Sequence, residues 1–122
     1  MTTRIELSNT DWPAAEAIAS HRVLNGAPEA STFVTSSLPT GETGLWRVSE
    51  VEFTTAHSGY VEHIHIIEGE GELVHENGEV TPLAPGVTVT MEDGWAGRWV
   101  IRKPLVKAYA VLNTASVPAP VA

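Results

Sequence analysis

At 122 residues the chain has room for one hydrophobic core, and its longest apolar stretches are far too short to cross a bilayer, so a single domain without a membrane span is expected. Seven basic against fifteen acidic residues give a formal charge of −8, which repels phosphate backbones and argues against a nucleic-acid partner. Cysteine is absent, so disulfides, thiolate metal sites and thiol nucleophiles are excluded, and any metal would be held by histidine and carboxylate.

The opening residues, MTTRIELSNTDW, have no apolar core behind a basic start and do not read as a secretory signal, which makes the cytoplasm the expected location. Residues 1–10 suit a short strand. Asp11 as a cap, Pro13 in a first turn and the run AAEAIA then read as one or two helical turns. Residues 1–22 are therefore expected to form an arm of strand and helix. From His21 to Thr43 the text is loop-rich around one strand at residues 31–35, with Asn25-Gly26, Pro28, Pro39 and Gly41 as punctuation.

Beyond Gly44 the chain is nearly all strand. Residues 45–55, 61–67 and 72–75 alternate with β-branched and aromatic content, and Asn77-Gly78 reads as a hairpin turn into residues 80–83. Further strands are expected at 87–91, 95–101 and 107–112. Strands this short and evenly spaced indicate an all-β sandwich or barrel. The end of the chain, 113–122, carries Pro118 and Pro120 and is expected to fray.

The densest chemistry lies in EHIHIIEGEGE, from Glu62 to Glu72. Successive strand residues face opposite sides, so His63 and His65 share one face while Glu62, Ile64 and Ile66 share the other. Two imidazoles at that spacing can reach one ion, and the same pair can instead lie on an outer sheet face or at an interface. The acids from Glu62 to Glu79 read first as a charged, soluble sheet edge and second as a cation-binding surface. Gly69 and Gly71 join strand to strand among carboxylates, so no phosphate cradle is expected. Ser49 and Ser58 have no nucleophile-elbow setting.

Taken together, VLNGAPEA, GLWRVSEVEF, E-x-x-x-I-I-E-G at Glu62 to Gly69 and G-x-T-V-T-x-x-x-G-W-x-G-R-W-V at Gly86 to Val100, continuing to Pro104, Lys107 and Tyr109, resemble the cupin superfamily. The likeness is to its small single-domain branch, grouped with cupins of ethanolamine utilisation and ureidoglycine metabolism. It implies a double-stranded β-helix, or jelly-roll barrel, over residues 23–112, with the chemistry at its mouth. It also implies a homodimer paired through outer sheets and N-terminal segments. Metal-binding cupins use two upstream histidines and a glutamate, then one further histidine. Here the glutamate position is Glu62, His57 is the one nearby histidine, and the second-motif histidine position is Gly97. A second register would use His63, His65 and Glu70.

The resemblance places Glu62 inward beside Ile64 and Ile66, as a carboxylate needing a buried partner, for which Lys107 and Arg98 are the candidates. The expected function is binding of a small polar molecule in the barrel, with proton-transfer chemistry such as isomerisation, elimination or hydrolysis as the reaction. Glu62 would be the acid or base, His57 its assistant, and Lys107 or Arg98 the holder of an anionic group. Trp46, Trp99 and Tyr109 would line the pocket with Arg98. Two alternatives stay open: a non-catalytic binding module, and a divalent transition-metal enzyme using ligands from His57, Glu62, His63 and His65.

Overall fold

In a computed structural model of the chain, residues 2–114 are described. Among them run nine strands: β1 (Glu16–Ala17), β2 (Val23–Asn25), β3 (Glu29–Leu38), β4 (Gly41–Val48), β5 (Val51–Ala56), β6 (Tyr60–His75), β7 (Val80–Leu83), β8 (Thr88–Met91) and β9 (Ala96–Asn113). Every pairing is antiparallel.

Two long strands organise the barrel. β6 and β9 pair with each other along their length, while different neighbours flank their two halves. The second half of β9 pairs with β4 and the first half of β6 with β8, which gives one sheet in the order β1-β3-β4-β9-β6-β8. The first half of β9 pairs with β5 and the second half of β6 with β7, giving the other in the order β2-β5-β9-β6-β7. The fold is thus an all-β double-stranded β-helix.

The crossing between the two sheets is built at Gly69. Its φ of +100° lies in the region that side chains disfavour, and a Cβ there would stand 2.5 Å from the Pro104 carbonyl oxygen. A Cβ at Gly71 would likewise strike the Val100 carbonyl oxygen. The β6–β9 register slips three times between Ile66 and Gly71, so Pro104 can sit inside β9 at a break in the ladder, where its missing N–H is not needed. Sequence pattern suggested four separate strands at 61–67, 72–75, 95–101 and 107–112. They are two bent ones, because a bend lets the ladder resume on its far side.

Alternation then decides what each strand buries. Ile64, Ile66, Leu73, Leu83, Met91 and Leu105 are wholly buried and form the apolar core. Beside this core, other inward positions are polar and aromatic: Glu62 on β6, Trp99 and Lys107 on β9, Trp46 on β4 and Phe53 on β5.

The expected N-terminal helix is corrected. Residues 11–19 contain no helix, and only short 3-10 turns occur, at Leu7–Asn9 and Ser20–Arg22. The segment is too short to offset the cost of nucleating a helix alone. It gains instead from edge pairing, with Glu16 and Ala17 opposite Ala30 and Glu29, Ile18 N–H donating to Pro28 O at 3.3 Å, and Trp12 lying 4.6 Å from the Arg47 guanidinium. The strand expected in residues 1–10 is likewise replaced by the first 3-10 turn. Of the end expected to fray, residues 115–122 lie outside the described residues. Asn113 and Thr114 are tied in, their N–H groups donating to Thr40 O at 2.9 Å and Gly59 O at 2.8 Å.

Candidate functional site

At the polar end of the barrel lies a cavity of about 300 Å³, within the range of small-ligand sites. Its centre is a buried ion pair. Lys107 Nζ donates to Glu62 Oε2 at 2.6 Å, with the two side chains only 8% and 11% exposed. Both are inward residues of the paired strands β6 and β9, where Lys107 lies opposite Ile66 and Glu62 opposite Val111, so the two long side chains meet diagonally.

Lys107 is also caged by aromatic rings. Its ammonium stands 4.5 Å from the Trp99 ring centre, 4.7 Å from Trp46 and 5.9 Å from Tyr109, distances at which a cation is held by ring faces. Burial pushes the amine's pKa below its usual value, and the Glu62 charge opposes that shift without cancelling it. Trp99 in turn stacks on Phe53 at 5.9 Å and meets Trp46 edge-on at 5.8 Å. The cation is therefore fixed by packing as well as by charge.

His57 completes the group from the loop between β5 and β6. Its Nε2 is 3.7 Å from Glu62 Oε1, beyond direct hydrogen-bond length, and its buried Nδ1 has no hydrogen-bond partner among the described residues. The ring stacks on Tyr60 at 4.7 Å. Burial holds its pKa below the ordinary value of 6.5, against the opposing pull of Glu62, so the imidazole is neutral at neutral pH. The loop itself is pinned to the β8–β9 turn: His57 N–H donates to Trp95 O at 2.8 Å, and Gly94 N–H to His57 O at 2.9 Å. Asp93 locks the same junction by accepting from Gly59 N–H at 2.9 Å and Thr114 Oγ1 at 2.7 Å. Those bonds, the Thr114 hydroxyl's first, depress its pKa.

Of the residues expected at a site, Glu62, His57, Lys107, Trp46, Trp99 and Tyr109 line this one cavity. Arg98 is not among them. It sits one residue before Trp99, so the pleat turns it to the exposed outer face, and the ion pair it was offered for is made by Lys107 alone. His63 and His65 are exposed on the face opposite Glu62, where their Nδ1 atoms meet Thr90 Oγ1 at 2.8 Å and Thr88 Oγ1 at 3.0 Å.

That orientation bears on a metal. No group of three or more histidine and acidic side chains placed to hold an ion occurs among the described residues. His57 and Glu62 converge, but the second oxygen of Glu62 is already taken by an ammonium, and the outer histidines cannot reach the cavity. The donor set does not fit a cupin metal centre.

Two charged residues of the cavity lie outside the expected set. Glu42 accepts the Tyr109 hydroxyl at 2.6 Å, and that tyrosine's pKa is raised by burial and by the carboxylate. Arg22, from the N-terminal arm, borders the mouth, its Nε donating to Thr54 O at 3.0 Å. Neither lies in a motif, and only tertiary pairing brings them to the barrel.

A small double-stranded β-helix with its polar cluster inside one end is a cupin. The chain matches the family of EutQ-like cupin domains over residues 35–109 and belongs to it. Among solved structures it is similar to the EutQ protein of Clostridium difficile, at 14% identity and a TM-score of 0.64 over 80% of each chain. It is similar to a protein of unknown function from Pseudomonas syringae, at 23% identity and a TM-score of 0.72, covering 84% of this chain and 45% of that one, so it spans less than half of that protein. It also resembles the ectoine synthase of P. lautus, at 16% identity and a TM-score of 0.61, over 75% of this chain and 68% of that one. No curated protein matches. Among the described residues no helix is long and apolar enough to cross a membrane.

Proposed function

We propose that the barrel binds a small polar molecule and moves a proton on it, with Glu62 as the acid or base. The observation that carries this reading is the buried Glu62–Lys107 pair lining a cavity beside a neutral histidine. Lys107 occupies Glu62 Oε2, which leaves Oε1 as the general base toward the cavity. Neutral His57, with Nδ1 unpartnered, can receive or return a second proton. The Lys107 ammonium, with one hydrogen on Glu62 and two more to give, supplies a donor for charge that develops on a carbonyl oxygen. Isomerisation and elimination both need this pairing of base and donor.

The test is solvent-deuterium exchange. Small carbonyl compounds, hydroxy acids and amino acids are incubated with the protein in D2O and followed by NMR. Exchange by the wild type that disappears in Glu62→Gln supports the reading. Binding without exchange by any of them identifies a non-catalytic binding module.

Pairing of two copies belongs to the same proposal. Leu24 and Val80, on the edge strands of the second sheet, are 53% and 50% exposed, and covering such residues is a common gain from dimerisation. Light scattering on the eluting protein would report one or two chains.

A further inference from the structure

We infer that Arg22 is a carboxylate anchor at the mouth of the barrel, and that the molecule which enters is a small monocarboxylate. The inference rests on the proposal that the cavity beside Glu62 is a ligand site, and it names the ligand's class.

The charges that face the cavity are balanced in number. Two cations and two anions line it: Arg22, Lys107, Glu42 and Glu62. Lys107 is consumed by Glu62 at 2.6 Å, and Glu42 accepts the Tyr109 hydroxyl at 2.6 Å. Arg22 has no carboxylate within 4.0 Å among the described residues, so its charge is the one left without an acidic partner.

Its geometry suits capture. Nε is used on the Thr54 carbonyl, and the guanidinium lies 5.5 Å from the centre of the Phe53 ring. These contacts fix the side chain while its terminal NH2 groups have no hydrogen-bond partner among the described residues. A planar fork held in that way matches a carboxylate in two parallel hydrogen bonds. The position is also a junction. Arg22, Thr55 and Tyr60 border both the inner cavity and a broad outer depression of about 930 Å³, so the guanidinium stands where the two adjoin.

Charge sets the number of carboxylates. Glu42 and Glu62 line the same cavity and the chain carries −8, so a second negative group pushed inward would be repelled. One acid at the mouth leaves the rest of the molecule, neutral or cationic, against Glu62 and His57.

The experiment measures affinity for acetate, lactate, glycerate and pyruvate beside the uncharged lactamide and propanediol, by NMR titration of the intact protein. Acids binding at least ~10-fold more tightly than their uncharged counterparts, a loss of ~10- to 100-fold of acid affinity in Arg22→Gln, and no change in Arg98→Gln are the expected results. Acids and amides binding alike, Arg22→Gln binding acids as tightly as wild type, or none of the acids binding at millimolar concentration would each overturn the inference. Because Arg22 also seats the arm, Arg22→Lys is measured too. A surviving preference for acids over amides supports an anchor, whereas equal weakening of both marks a structural residue and overturns it.

The same samples separate this inference from the proposal beneath it. Arg22-dependent acid binding with no exchange in D2O leaves the anchor standing and removes the proton-transfer reading. Exchange that needs Glu62 but treats amides and acids alike removes the anchor and keeps that reading.

Discussion

Lys107 Nζ and Glu62 Oε2 stand 2.6 Å apart on neighbouring strands, 45 residues apart in sequence and almost sealed from water. A pair like this gains little over a well-packed apolar pair, because both ions lose their hydration, but breaking it leaves one buried charge uncompensated. Lys107→Met alone should therefore cost about 3 to 5 kcal/mol of stability in urea unfolding. The double variant Glu62→Leu with Lys107→Met should recover most of that loss. A double variant as unstable as the two single losses added together would show that the pair is not coupled.

His57 predicts a specific pH response. Its pKa is held below 6.5 when folded, so the unfolded chain binds this proton more readily than the native one. Its influence on stability is nil above 6.5 and grows unfavourable as pH falls from 6.5 through the lower folded value. Thermal unfolding followed from neutral pH down to about pH 5 should show wild type losing more stability than His57→Asn over that window. Parallel curves would mean that His57 is not buried as described.

The bend at Gly69 should tolerate no side chain. Gly69→Ala would place a Cβ 2.5 Å from the Pro104 carbonyl oxygen at a φ of +100°, and both β6 and β9 would have to move. A loss of at least about 1 to 3 kcal/mol is expected in denaturant unfolding. Gly78→Ala, at a hairpin turn with nothing within 4 Å of the new methyl, meets only the φ penalty and should cost less.

His63 and His65 should be dispensable. Each meets one threonine hydroxyl on the outer face, so replacing both by alanine should cost less than about 1 kcal/mol. Ligand affinity and proton exchange should be unchanged in that double variant. A loss of either would place the outer face in the site.

Much of this was legible because strand alternation is a short-range rule. The pattern from Glu62 to Ile66 separates the two histidines from the glutamate without any knowledge of the partners, and the structure keeps that separation. The Asn77-Gly78 turn is equally local, with Gly78 at a φ of +96°. What escaped was set by tertiary pairing. Charge alone pairs Arg98 with Glu62, although its parity with Trp99 turns it outward. The helix expected from Asp11 failed because an edge of β3 offered its backbone better partners. Arg22 and Glu42 carry no motif, since their roles arise from which strand and which arm the barrel draws to its mouth.

The central claim is that Glu62 moves a proton on a molecule held in the barrel. Its most direct test is to compare wild type and Glu62→Gln, on whichever compound exchanges in D2O, for both exchange rate and affinity. Exchange falling by about 10²- to 10⁴-fold with affinity nearly unchanged is the predicted result. Exchange that persists at the wild-type rate in Glu62→Gln would contradict it.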